Sequence, residues 1–227
     1  MENLAKYIEH TLLKQNATAP EFEKLYAEAK EYGFRGVCVN PAYVKNAKNF
    51  LQGTDVKIVT VIGFPLGANL TSVKVFEAKS ALEDGADEID MVINVSAIKD
   101  NNWEYVLEDI KAVKEACPNN VLKVILETDL LSQEEIKKAC EICIKAKADF
   151  VKHSVVTYYD EYTINPNKRL SPFHKRKRYE KQQEIRYLAY KDTNKALTLK
   201  LGSLEDIAGI YNVNEFCLVI DDCKIRA

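Results

Sequence analysis

The sequence has no apolar run approaching the roughly 18 residues needed to cross a membrane, and Met1 to Tyr7 carry no apolar stretch behind a basic flank. A cytoplasmic protein with no membrane partner is the expectation. No G-x-G-x-x-G or Walker pattern occurs, so the glycine-rich phosphate cradle of nucleotide-binding folds is excluded. No charge excess exists either. A net charge of -2, with 29% charged and 47% hydrophobic residues, describes an ordinary globular chain, neither a nucleic-acid binder nor a disordered acidic one. Among the six cysteines only Cys140 and Cys143 stand in C-x-x-C spacing, inside a helical-looking segment without a second pair or a histidine of its own. That argues against a metal centre and for reduced, mostly buried thiols.

What is present is a cadence. From Ile8 onward short β-branched runs alternate with turn residues and amphipathic segments at intervals of about 25 to 30 residues, a βα signature. Strands are predicted at Ile8–Leu13, Gly36–Asn40, Val56–Ile62, Glu88–Asn94, Val121–Thr128 and Ala148–Ser154. Helices are predicted from about Pro20 to Tyr32, from Pro41 towards Gly53, over Thr71–Glu83 and Trp103–Ala116, and from the Ser132/Glu135 capping box to about Lys147. Asp84-Gly85 reads as a left-handed helix stop. Val155 to Leu170 fit neither period and are expected to form a long loop. Ser171-Pro172 is expected to start a helix towards Asp192. Asn165 to Lys200 hold eleven Lys and Arg against three Asp and Glu, a pattern expected of a solvated exterior helix. A seventh strand at Ala196–Lys200, a short helix from Ser203 and an eighth strand at Phe216–Ile220 complete the reading, after which the chain almost stops. Eight strands alternating with helices over residues 1–227 favour a single-domain (β/α)8 TIM barrel with a truncated C-terminus.

Four charged residues interrupt or end these apolar strands: Asp90 in the fourth, Lys123 in the fifth, Lys152 in the sixth and Lys200 at the end of the seventh. In a barrel these strand ends ring one mouth. A buried lysine sheds its proton unless compensated, and two neighbouring lysines depress each other's pKa, which makes an amine nucleophilic near neutral pH. A carboxylate beside them can keep one lysine charged and shuttle protons. Two bland readings stand beside this one: a strand-end Lys152 that snorkels to water, and a buried ion network that only holds the barrel together.

Six ordered stretches carry a resemblance: Ile8-Glu9-His10-Thr11-Leu12-Leu13-Lys14, Val37-Cys38-Val39-Asn40-Pro41, Val61 to Ala68 (VIGFPLGA), Glu88 to Asn94 (EIDMVIN), Leu122 to Thr128 (LKVILET) and Ala148 to Lys152 (ADFVK). Together they resemble the deoxyribose-phosphate aldolase family over roughly Met1 to Ser154. The resemblance implies a (β/α)8 class I aldolase, a lyase joining acetaldehyde and glyceraldehyde 3-phosphate into 2-deoxyribose 5-phosphate, with neither metal nor organic cofactor and commonly as a homodimer. It implies Lys152 as the Schiff-base lysine and Asp90 as the proton-transfer carboxylate. Lys123, Glu9, Cys38, Ser154 and Gly202 fall at substrate-binding or polar-network positions, Glu9 standing where the family usually has the shorter aspartate.

Beyond Ser154 the sequence departs from the family pattern. His153-Ser154-Val155-Val156 keeps only the serine of a Thr-Ser-Thr-Gly run. The second family lysine is matched by Lys200 in strand register, with Lys195 as the alternative, and Gly202 alone remains of the Gly-Gly turn that follows it. Where the family ends strand eight in a Gly-x-Ser-Ser phosphate cradle, Ile220-Asp221-Asp222-Cys223 places carboxylates. The expected function is a Schiff-base aldolase acting on a sugar phosphate or related aldehyde. An aldolase-like protein without turnover, serving as a binding or scaffold protein, is the alternative.

Overall fold

Side chains alternate between the two faces of a strand, and here the alternation separates two cores. The computed structural model describes residues 4–152 and three short strands at 157–159, 174–176 and 184–186. In order come β1 (Glu9–Leu12), α1 (Ala19–Glu31), β2 (Gly36–Val39), a 3-10 turn (Pro41–Tyr43) leading into α2 (Val44–Phe50), β3 (Lys57–Ile62) and α3 (Thr71–Glu83). Then follow β4 (Glu88–Val92), α4 (Val95–Lys99), α5 (Trp103–Ala116), β5 (Val121–Ile125), α6 (Gln133–Lys145) and β6 (Phe150–Lys152). Strands β1 to β6 pair in parallel, each with the next. Val37, Val39, Ile58, Ile62, Ile89, Met91, Leu122 and Val124 face the helices and form the larger core with Phe22, Leu25, Ala78, Ile110 and Cys140. The intervening Cys38, Val59 and Val61 form a separate small core on the other face.

The sheet is curled. Five strand spacings of about 4.8 Å would put β1 and β6 roughly 24 Å apart in a flat sheet, yet the Lys152 Nζ of β6 lies 2.8 Å from the Glu9 Oε2 of β1. The six parallel strands therefore bend into part of a barrel whose inner face holds Glu9, Asp90, Lys123 and Lys152.

Local chemistry sets the element ends. Ser132 Oγ accepts from the Glu135 backbone N–H at 3.2 Å and the Glu135 carboxylate accepts from the Ser132 N–H at 2.6 Å, the reciprocal capping box at the start of α6. Gly85 stops α3 with φ +103, a conformation that favours glycine. In the loop after β3, Gly67 has φ +68, and a Cβ there would stand 2.0 Å from the Ile93 carbonyl oxygen beyond β4. That loop is thus packed tightly against the end of β4.

The expected strands one to six and the helices at 71–83 and 103–116 are present at these positions. The segment from Pro41 is divided between the 3-10 turn and α2, and the short α4 has no counterpart in the sequence reading. Two further expectations are corrected. Within the supposed loop at 155–170, Thr157–Tyr159 is a strand (β7), paired in parallel with His174–Arg176 (β8). Threonine and tyrosine favour extended structure. The helix expected over 171–192 is interrupted by β8 and by Glu184–Arg186 (β9), which lies antiparallel beside β1. The physical reason for β9 is the outer edge of β1, whose unpaired backbone groups an extended segment satisfies. The seventh strand at 196–200 and the eighth at 216–220 lie outside the described residues.

Candidate active site

Alternation along β4 turns Glu88 and Asp90 to the same inner face, and the β4–β5 register sets Asp90 directly opposite Lys123. The β5–β6 register then places Lys152 beside Ile125, two residues nearer the carboxyl end than Lys123. Lys123 Nζ lies 2.6 Å from Glu88 Oε2, 2.8 Å from Asp90 Oδ1 and 3.2 Å from Glu9 Oε1. Lys152 donates to Glu9 Oε2 at 2.8 Å and to Asp90 Oδ2 in a second, very close contact. Both carboxylates thus bridge both lysines, one oxygen to each. Glu9, Asp90 and Lys123 have no exposure, and Lys152 has 5%.

A third cation enters from the start of β2. Arg35 Nη1 donates to Glu9 Oε1 and to Glu88 Oε2, each at 2.9 Å, while Nη2 donates to the other Glu88 oxygen. Among the described residues the network is balanced, with Arg35, Lys123 and Lys152 against Glu9, Glu88 and Asp90. A pairing of this kind is what lets charges remain in a low-dielectric interior.

The balance fixes protonation. Burial pushes the Lys152 amine down, but Asp90 and Glu9 together more than reverse this, with Lys123 opposing them, so its pKa lies above the ordinary lysine value. Burial likewise acts against charged Lys123 and is outweighed by Asp90, Glu9 and Glu88. For Glu9, burial favours the neutral acid, yet Lys123, Lys152 and Arg35 hold the carboxyl well below its usual range. Lys152 is accordingly an ammonium hydrogen-bonded to two carboxylates. The tendency of an isolated buried lysine to shed its proton is overridden by these partners.

Of the residues singled out from sequence, Glu9, Asp90, Lys123 and Lys152 come together, and Cys38 lines the inner wall with Val59 and Val61. Ser154, Lys195, Lys200 and Gly202 lie outside the described residues. The sequence reading missed Arg35 and Glu88. Glu88 carried a usable signal, since it stands two residues before Asp90 and so shares its face. No group of three or more metal-ligating side chains suited to an ion occurs among the described residues. No helix of the described residues is long and apolar enough to cross a membrane.

A buried amine gripped by carboxylates on the inner face of a curled parallel α/β sheet is an arrangement able to support amine and proton chemistry. The comparisons make the class specific. A family model described as DeoC/LacD family aldolase matches residues 4–200, and the chain belongs to this family of lyases. A curated relative from Macrococcus caseolyticus, named deoxyribose-phosphate aldolase, is 59% identical over 152 residues, covering 67% of this chain and 69% of its own. The solved structure of an aldolase designated QR15 is 47% identical with a TM-score of 0.65, covering 68% of this chain and 69% of that one. A deoxyribose phosphate aldolase from Aeropyrum pernix, described as having a unique tetrameric structure, is 37% identical with a TM-score of 0.62, over 66% of this chain and 64% of its own.

Proposed function

We propose that the chain is a class I aldolase in which Lys152 forms the Schiff base and Asp90 moves the protons, acting on 2-deoxyribose 5-phosphate. The observation that carries this reading is the placement of Lys152 Nζ between the carboxylates of Asp90 and Glu9 on the inner face. A carboxylate takes a proton from the ammonium, and the freed amine attacks the substrate aldehyde. Loss of water from the carbinolamine gives the iminium. The base then removes the proton of the C3 hydroxyl, and the C2–C3 bond breaks. Glyceraldehyde 3-phosphate leaves; the C2–C3 electron pair becomes the C1=C2 bond and the iminium pair returns to the Lys152 nitrogen, which gives the enamine of acetaldehyde. Protonation at C2 and hydrolysis release acetaldehyde and restore the amine.

The substrate assignment rests on the names of the relatives. Lys200 is assigned as the second lysine and Ser154 and Gly202 as substrate contacts from sequence register alone. A homo-oligomer of cytoplasmic chains is part of the same reading, the dimer being the form inferred from the resemblance. The names of the relatives lend no support to the alternative of a scaffold without turnover.

Borohydride reduction in the presence of acetaldehyde, followed by peptide mass spectrometry, tests the reading without requiring the phosphate end of the site. An ethyl adduct confined to Lys152, lost together with aldolase activity in a folded Lys152→Leu variant, is the expected result. A folded protein that gives no adduct, or activity that survives the substitution, removes Lys152 from the mechanism.

A further inference from the structure

The amino-terminal end of the curled sheet holds a charge that the proposed reaction does not use. Arg35 immediately precedes β2 and is not itself in the inner wall, yet its guanidinium spans Glu9 and Glu88. Glu9 is the decisive partner, because one of its oxygens takes Arg35 at 2.9 Å while the other takes Lys152 at 2.8 Å. A single buried carboxylate therefore separates the arginine from the reacting amine, where interactions are weakly screened. The side chain of Arg35 is 17% exposed, so it sits at the rim while Glu9 is wholly enclosed.

We propose that Arg35 is a positioning residue which acts through Glu9 to set how readily Lys152 gives up its proton. This rests on Lys152 being the reacting amine. The described groups facing Lys152 are Glu9 from β1, Cys38 from β2, Asp90 from β4 and Lys123 from β5. Cys38 and Asp90 favour the ammonium, Lys123 disfavours it, and β3 contributes only the apolar Val59 and Val61. Glu9 can therefore be tuned only by what else it binds, and Arg35 and Lys123 share its other oxygen. Among the described residues, removing the arginine charge leaves Glu9, Glu88 and Asp90 facing Lys123 and Lys152, one negative charge in excess. That excess stabilises the ammonium and delays formation of the nucleophile as pH rises.

The test is an NMR titration of Lys152 in protein labelled with carbon-13 at lysine Cε, assigned through the Lys152→Leu variant, alongside the pH profile of kcat/KM. In Arg35→Gln, which keeps polar atoms near Glu9 and Glu88 without the charge, the Lys152 pKa and the acid limb should both rise by about one unit or more. Arg35→Lys, which restores a charge, should recover most of that shift. An unchanged titration in folded Arg35→Gln overturns the proposal. So does an equal shift in both variants. Failure of both variants to fold assigns Arg35 to structure alone. A Lys152 that titrates as expected but gives no borohydride adduct would instead sink the Schiff-base reading on which the proposal rests, leaving only the electrostatic link from Arg35 through Glu9 to Lys152.

Discussion

At the scale of the residue, the site is an exercise in sharing. Asp90 accepts from Lys123 with one oxygen and from Lys152 with the other, so under the proposed mechanism removing its charge affects the reaction and the resting state together. Asp90→Asn should lower kcat by about 10²- to 10⁴-fold, the usual loss when a positioned proton-transfer group is removed. The variant should also move the acid limb of the profile to lower pH, because Lys152 loses a stabilising anion. A kcat within a factor of a few of wild type would show that Glu9 alone carries the protons. Lys123 answers to a different measurement. Its loss leaves Glu88, Asp90 and Glu9 partly uncompensated in the interior, so Lys123→Met should cost about 3–5 kcal/mol in urea unfolding, and Glu88→Leu on the same background should recover part of it. Equal and additive losses would mean that the pair is not coupled at its 2.6 Å contact. The three strand-borne charges were legible in the sequence because a charge within an apolar run has to be explained. Arg35 was not, since an arginine between a turn and a strand looks like any surface cation until the fold turns it inward.

At the scale of the element, the helices matter for where they put the strands. The α6 helix delivers the chain to β6, and its start is fixed by the Ser132 and Glu135 box. Its buried Cys140 and Cys143 pack into the outer core. Ser132→Ala should therefore cost about 1 kcal/mol and lower Tm by about 2–4 °C for a chain of this size, as read by calorimetry. Tm unchanged within a degree would show that Glu135, which also pairs with Lys99 at 2.6 Å, holds the helix start alone. The α3 helix does comparable work on β4. Its buried Lys74 pairs with Asp109 of α5 at 2.6 Å and donates to the Val92 carbonyl at 3.2 Å, two residues beyond Asp90. Capping boxes and glycine stops were visible in the sequence because they are local. The Lys74 pair was not, because its partner lies 35 positions away and only packing brings them together. The same limit explains the helix expected over 171–192: residues with helical preferences give way at Glu184–Arg186 to the open edge of β1, which no local pattern encodes.

At the scale of the whole molecule, curling the sheet is what makes the site, since Glu9 and Lys152 are 143 positions apart and belong to the first and sixth strands. Closure and charge pairing are therefore one event, and stability should follow the protonation of the pair. Glu9 has a folded pKa below its ordinary 4.5. Its contribution is complete above that value and is lost as pH falls below it towards the lower folded value. Lys123 and Lys152 have folded pKa values above their ordinary 10.5, so their contribution is complete below 10.5 and is lost as pH rises through those higher values. From these groups stability is level between the two ordinary values and falls on either side. Urea midpoints measured across pH should show this plateau. Glu9→Gln supplies the internal control: it should be less stable than wild type at neutral pH, where Arg35, Lys123 and Lys152 lose their shared anion, yet decline less steeply in acid because the group that titrates is gone. Parallel acid limbs for the two proteins would mean that the carboxylate joining the first strand to the sixth contributes nothing to holding the curled sheet together, and that closure rests on the apolar layers alone.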